Sequence, residues 1–316
     1  MAMPLVETKN LKKYFKTGAG MLHAVEDVNL KIMPGKTLGV VGESGCGKST
    51  LGRTILRLQP ATAGEVLYNG ENTLKYKGKD MQKIHLNMQM VFQDPYSSLD
   101  PRMSVHNLIA EPVQVCGLLK TKAEINEHVR EIMDMCGLPA DQANLFPHEL
   151  DGGLRQRVGL ARAMAVSPKF IVCDEPVSAL DVSIQAQILN LLMDLQEQRE
   201  LSYMFITHDL CVVKHISDEI MVMYMGQVVE HAKTAELFAN PVHPYTKALL
   251  HAVPTIDLSR RNREGFMLRG EVTSPINPAP GCRFAPRCPY ATDKCKENVC
   301  LKEVSPDHFV ACSLCD

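Results

Sequence analysis

The chain has 316 residues, 45% of them hydrophobic and 22% charged, the balance of a water-soluble globular protein with room for one large domain and a smaller appendage. A formal net charge of −2 gives no basic surface to draw nucleic acid, so nucleic acid is not expected as a partner. No apolar run approaches the roughly 18–20 residues that span a bilayer, and the start lacks a basic segment followed by an apolar core. A cytosolic protein is expected, reaching any membrane through partners.

Residues 5–32 alternate short apolar stretches around Gly18-Ala19-Gly20 and read as edge strands of a small antiparallel sheet. Tyr14 and Phe15 are adjacent aromatics there; either could stack on a purine base, although both also suit plain strand positions. Thr37 to Val41 reads as a short buried strand, and Ser49 to Leu58 as a helix. Between them lies Gly42-Glu43-Ser44-Gly45-Cys46-Gly47-Lys48-Ser49-Thr50, which fits the pattern G-x-x-x-x-G-K-[ST]. Glycines let such a loop fold around an anion with its backbone N–H groups aimed inward, and the helix start adds its positive end. Lys48 then reaches the β- and γ-phosphates and the Ser49 hydroxyl ligates Mg²⁺. With strand, loop and helix all in place, a nucleoside triphosphate is the expected ligand.

Ala63 to Gly70 reads as turn, strand and turn, followed by a lysine-rich surface stretch to about Lys83. Gln89 to Phe92 is a short strand ending at Gln93. From about 94 to 160 helical segments dominate; Ile125, Val129, Ile132 and Met133 share one face of a helix over 124–136. Leu150-Asp151-Gly152-Gly153 opens a further helix that Pro168 stops. Phe170 to Cys173 is a continuous apolar run, as in a buried parallel strand, ending on Asp174-Glu175-Pro176. A helix with Ile184, Ile188, Leu191, Leu192 and Leu195 at helical spacing follows, then a strand from Tyr203 to Thr207 that ends on His208. Alternating strands and helices argue for a mostly parallel sheet with ligands gathered at the carboxyl ends of its strands. There Asp174 suits a Mg²⁺ partner, Glu175 a general base on the attacking water, and His208 a contact to the γ-phosphate or that water.

Of eleven cysteines, Cys282, Cys288, Cys295, Cys300, Cys312 and Cys315 crowd the last 35 residues among prolines. In a reducing compartment such crowding suits a metal site on Cys282, Cys288, Cys295 and Cys312. Thiolate ligation fits an iron–sulfur cluster or zinc, and free thiols remain open as a third reading. Cys46 reads as a small loop residue.

These pieces together resemble the nucleotide-binding subunits of ATP-binding-cassette (ABC) transporters, over nearly the whole chain. The matches are the phosphate loop, Val91-Phe92-Gln93-Asp94-Pro95, Leu150-Asp151-Gly152-Gly153 with Arg155-Gln156-Arg157, Asp174-Glu175-Pro176, Ser178-Ala179-Leu180-Asp181 and Thr207-His208-Asp209. The wording of the phosphate loop, Phe92 to Leu99, and Asn240-Pro241-Val242-His243-Pro244-Tyr245-Thr246 is similar to the oligopeptide/dipeptide importer branch, and within it to the second ATPase of a heterodimeric pair.

The resemblance implies an α/β P-loop ABC nucleotide-binding domain over 1–253, with a mostly parallel sheet, an antiparallel edge sheet and a helical insertion at about 94–160. Residues 254–316 would form a small, irregular, Cys-rich module without a core of its own. It implies ATP and Mg²⁺, with ATP held by Phe15, Gly42 to Thr50, Gln93 and Asp174, and by Asp151, Gly152, Gly153 and Asp181 across a dimer. Mg²⁺ would be held by Ser49, Gln93 and Asp174; Lys48, Gln93, Glu175 and His208 would carry catalysis. A [4Fe–4S] cluster, alternatively Zn²⁺, is implied for the tail. The partners implied are a second ABC ATPase, two transmembrane permeases and an extracytoplasmic substrate-binding protein, at the cytoplasmic face of the membrane. The branch also resembles importers of nickel, glutathione and oligosaccharides, so cargo stays open; a non-transport ABC ATPase or a redox sensor are the competing classes. Two departures stand out. Asp151 and Leu154 occupy positions where the family usually has Ser and Gln, and an ionised Asp only accepts hydrogen bonds and repels phosphate.

Overall fold

A computed structural model describes residues 3–252 and 274–315. In chain order the elements are strands β1 (Val6–Thr17), β2 (Gly20–Ile32) and β3 (Thr37–Val41), helix α1 (Lys48–Ile55), β4 (Ala63–Tyr68), β5 (Glu71–Asn72), α2 (Lys79–Asn87) and β6 (Met88–Val91). Helices α3 (Pro95–Ser98), α4 (Val105–Val115), α5 (Lys122–Met135) and α6 (Gly152–Met164) follow, then β7 (Phe170–Asp174), α7 (Val182–Arg199) and β8 (Ser202–Thr207). The chain ends with α8 (Leu210–Ile216), β9 (Glu219–Tyr224), β10 (Gln227–Lys233), α9 (Thr234–Ala239), α10 (Pro244–His251), β11 (Lys302–Ser305) and β12 (His308–Val310).

The structure divides into two compact units. The first draws on residues up to Ile32, then Thr37–Leu74 and the chain from Phe205 onward; the second comprises Met33–Lys36 and Lys75–Met204. Strand β8 begins in the second and ends in the first.

The first unit holds an antiparallel sheet in the order β2-β1-β4-β5 and a larger one in which β11, β12, β10, β9, β3 and the end of β8 follow one another. Strand β3 pairs in parallel with β9, Leu38 opposite Glu219 and Val41 opposite Val222. Every residue of β3 is buried, so its continuous apolar reading reflects cover on both faces. Thr37 N–H donates to Asp218 Oδ2 at 2.8 Å, fixing the start of the strand. The core beside it gathers Val41, Val213, Val222, Tyr224, Leu237 and Tyr245.

The described part of the tail belongs to this core. Phe284 is 1% exposed, with ring centroids 5.2 Å from Tyr224 and 5.4 Å from Tyr245. Strand β12 pairs with β10 and β11 with β12, so the expected irregularity is broken by two strands that extend the sheet. Strand β11, Lys-Glu-Val-Ser, buries no residue, and β12 is only three residues long, so neither shows up as an apolar run. The expected boundary at 253/254 lies outside the described residues.

His243 joins tail and core. Its Nδ1 accepts from Tyr245 N–H at 3.1 Å and so caps α10 in the neutral form. Glu230, fully buried, accepts from the N–H groups of Val242 and His243 and pairs with His308 of β12 at 2.8 Å.

In the second unit β6 and β7 pair in parallel, Met88 opposite Phe170 and Val91 opposite Cys173. Helix α5 starts on a capping box, Thr121 with Glu124, and buries Ile125, Val129, Ile132 and Met133, the face its sequence spacing marks. Helix α7 buries Ile188, Leu189, Leu192 and Leu195, leaving Ile184 and Leu191 half-buried. Helix α2 occupies the end of the lysine-rich stretch that read as plain surface; only Ile84 is buried there, too weak a stripe to signal a helix.

Phe284→Ala should destabilise the protein by about 3–5 kcal/mol, read as a fall in the urea midpoint, because the cavity would open inside a packed aromatic cluster. Burial, with Lys247 nearby, lowers the His243 pKa to about 4 from an ordinary 6.5. Between those values the unfolded chain binds a proton that the folded one refuses, so stability falls as pH drops through this window. The shift corresponds to on the order of 3 kcal/mol. His243→Asn keeps a capping acceptor without the titration, and its unfolding midpoint should depend less on pH between 6.5 and 4 than that of the parent.

Candidate ATP site

The phosphate loop leaves β3 and enters α1 within the first unit. Gly42 has φ 151°, Gly45 78° and Gly47 104°, conformations that side chains resist. Space forbids them too: a Cβ on Gly42 would lie 2.2 Å from the Met223 carbonyl oxygen, and one on Gly47 2.1 Å from that of Ala24. Lys48 is only 4% exposed, and its Nζ donates to the carbonyls of Gly42 at 2.8 Å and Glu43 at 3.0 Å. The lysine thus curls over its own loop, its ammonium satisfied by acceptors that a phosphate oxygen could replace. Ser44 and Gly45 are exposed at the rim, with Ser49 and Thr50 half-buried in the first turn of α1.

Burial pushes the Cys46 thiol pKa up, against the pull of Lys48, so this cysteine is a protonated packing residue. Tyr245 was marked in the sequence only as part of a family motif. Its hydroxyl accepts from Glu43 N–H at 2.9 Å, which ties α10 to the loop.

His208 is exposed at the end of β8, and the next residue, Asp209, caps α8 by accepting from the N–H groups of Cys211 and Val212. Phe15 is half-exposed on β1 with Lys13 Nζ 4.6 Å from its ring centre. Tyr14 is committed elsewhere: it stacks on His23 with centroids 4.0 Å apart and donates to Glu26 Oε1 at 2.5 Å. Burial of Glu26 opposes ionisation, but hydrogen bonds from Tyr14, His23 and Lys12 prevail and hold its pKa at about 2.

The second unit carries the carboxylates. Asp174 ends β7 fully buried. Glu175 follows with φ 46°, a left-handed conformation unusual for Glu, and its carbonyl accepts from Ser178 N–H at 3.3 Å and Ser178 Oγ at 3.1 Å. Gln93 Nε2 donates to Glu175 Oε2 at 2.9 Å, so two residues 82 positions apart form one pair.

Asp151 caps α6, its Oδ1 accepting from Leu154 N–H at 2.8 Å. Gly152 is exposed and Gly153 buried, and a Cβ on Gly153 would meet Ile184 Cγ2 at 2.6 Å. Asp181 caps α7 and accepts from Ser183 Oγ at 2.6 Å; that hydroxyl, with the Ile184 amide, pulls its pKa down.

The cysteine tail departs from expectation. Among the described residues no group of three or more His, Cys, Asp or Glu is arranged to hold a metal ion, and every cysteine is free. Burial raises the thiol pKa of Cys282 and Cys288, with Cys295 and Cys312 adding to the rise. The Cys295 sulfur lies 3.2 Å from Ser313 Oγ and accepts from Thr292 N–H, which lowers its pKa. Cluster ligation needs thiolates. Among the described residues the tail therefore gives no support to a [4Fe–4S] cluster or to zinc.

Comparison with known proteins agrees with the phosphate loop and the tail. The ABC transporter family model matches residues 25–178, and the oligopeptide/dipeptide transporter C-terminal region matches 229–295. The putative oligopeptide transport ATP-binding protein YkfD of Bacillus subtilis is 47% identical over 99% of this chain and 96% of its own length. The oligopeptide transport ATP-binding protein OppF of the same organism is 49% identical over 99% of this chain and 97% of its own. Among solved structures, the ATP-binding cassette MJ0796, a dimer in a post-hydrolysis state with ADP and Pi, matches at TM-score 0.67 and 31% identity over 72% of this chain and 98% of that one. Near-full-length identity of this size is decisive: the chain belongs to the ATP-binding proteins of ABC transporters, in their oligopeptide/dipeptide branch, and is an ATPase of that family.

Proposed function

We propose that the chain is the ATP-hydrolysing subunit that powers an importer of oligopeptides or dipeptides. The observation that carries the enzymatic part is the Gln93–Glu175 pair beside the buried Asp174. Glu175 takes a proton from water, the water oxygen bonds to the γ-phosphorus, and the bond to the β-phosphate oxygen breaks to release ADP and phosphate. Gln93 orients the Glu175 carboxylate and is released toward nucleotide when it binds. Lys48 stabilises the charge on the β- and γ-phosphates, the amides from Gly42 to Thr50 cradle them, and His208 positions the γ-phosphate or the water. Phe15 stacks on the base, because Tyr14 is engaged with His23 and Glu26. The hydroxyl of Ser49, Gln93 and the Asp174 carboxylate are hard oxygen donors of the kind Mg²⁺ takes, and the ion when bound neutralises phosphate charge.

The physiological unit in this reading is a heterodimer with a second ABC ATPase, docked on two permeases at the cytoplasmic face and served by an extracytoplasmic binding protein. Support comes from the full-length relatives, and no helix among the described residues is long and apolar enough to cross a membrane. Asp151, Gly152, Gly153 and Asp181 face the nucleotide held by the partner. Asp151 spends its oxygen on the Leu154 amide and brings negative charge where a hydroxyl donor is usual, so the ATP site using this signature is the weaker of the two. No metal on the tail enters the proposal.

Glu175→Gln should cut ATP turnover by about 10²-fold or more while leaving ATP binding intact. The matching Glu→Gln change in the second ATPase should cost less, and equal losses would remove the asymmetry. Pull-down of the tagged chain from native membranes in mild detergent should recover two permeases, a second ATPase and a binding protein carrying peptide. Recovery with ribosomal or DNA-bound proteins alone would refute transport.

A further inference from the structure

The tail touches the phosphate loop. Arg283 and Arg287, 6% and 9% exposed, flank the buried Phe284 on a short segment turned by Ala285 N–H to Cys282 carbonyl and Arg287 N–H to Phe284 carbonyl bonds. Arg287 meets Glu43 fork to fork: Nη1 to Oε2 at 2.7 Å and Nη2 to Oε1 at 3.1 Å. Nη1 also lies 3.4 Å from the Tyr224 hydroxyl. Arg283 donates to the Met225 carbonyl and, at 3.1 Å, to Glu26 Oε2. The adjoining Gly226 N–H donates to the Cys46 carbonyl at 2.8 Å, so Arg283 secures the turn that secures the far side of the loop.

Glu43 poses an electrostatic problem. It places a carboxylate inside a loop whose purpose is to bind a polyanion, and a like charge there weakens phosphate binding. Only 22% of its side chain is exposed, so water screens it poorly. A bidentate guanidinium offsets that charge and also fixes where it points, which a lysine's single ammonium does less well.

We infer that Arg287 of the tail is a positioning residue for ATP binding: by engaging both oxygens of Glu43 it neutralises the phosphate loop's own carboxylate and holds the loop in its anion-binding form. The inference rests on the ATPase reading above and adds a role for the C-terminal region within it.

The test is steady-state ATPase kinetics of the assembled complex with the parent chain, Arg287→Met, Arg287→Lys, Glu43→Gln and the double variant Arg287→Met/Glu43→Gln, each with its thermal midpoint. Methionine retains the aliphatic stem, so folding is kept while the charge is lost. Arg287→Met should raise KM for ATP roughly tenfold with kcat within about twofold, and the rise should shrink in high salt. Arg287→Lys should rescue most of it. The double variant should return KM to within about threefold of the parent, because no carboxylate is left to repel the nucleotide. An unchanged KM in Arg287→Met, or a double variant as weak as the single one, overturns the inference. A parent complex without ATPase activity would instead overturn the function proposed above.

Discussion

A lysine ammonium withdrawn from water must find acceptors, and around Lys48 that requirement shapes everything nearby. Its partners are the carbonyls of Gly42 and Glu43, which turn inward only because Gly42 and Gly47 take backbone angles closed to other residues. Those glycines are pressed in turn against Met223 and Ala24 carbonyls, so strands β9 and β2 fix the loop from either side. Tyr245 and Arg287 complete the enclosure at Glu43. The form of this short loop therefore rests on groups that lie up to 244 positions away in sequence, the distance from Glu43 to Arg287.

The local chemistry was legible in the sequence because it is written in short, contiguous words. The phosphate loop, with the strand before it and the helix after it, depends on residues within a few positions of one another. So did α5, whose four buried residues recur at helical spacing. What escaped was non-local. Nothing near Arg287 announces Glu43, and nothing near Phe284 announces Tyr224, since such pairs obey distance in space and leave no period in the chain. Strands β9 and β10 carry no motif residue, and only the apolar run Ile220 to Tyr224 marks them in the sequence. The metal reading found no support: cysteine spacing suggested a cluster, but spacing does not encode how the sulfurs are arranged in space, and no metal-holding group is present among the described residues.

Asp151 shows how one residue serves two masters. As a cap it is among the best choices for a helix start, and it fills that role at 2.8 Å. In the proposed role opposite a partner-held phosphate it would be among the worst, since it brings a negative charge and no proton to donate. A serine could cap the helix and still donate a proton to phosphate, so under the function proposed above the aspartate keeps the helix start and gives up the donor.

Strand β3 carries a consequence for how the protein is made. Its five residues are fully covered, yet the parallel neighbour that pairs with Leu38 is Glu219, 181 positions later in the chain. A ribosome adding about 5–20 residues each second needs roughly ten to forty seconds to supply it. Throughout that interval Thr37–Val41 has left the ribosome as an apolar strand without its β9 neighbour, while the whole of Lys75–Met204 is being synthesised between the two halves of the first unit. Until then this pentapeptide lacks one of its pairing partners, and the phosphate loop that follows it takes its final form only once β9 has arrived.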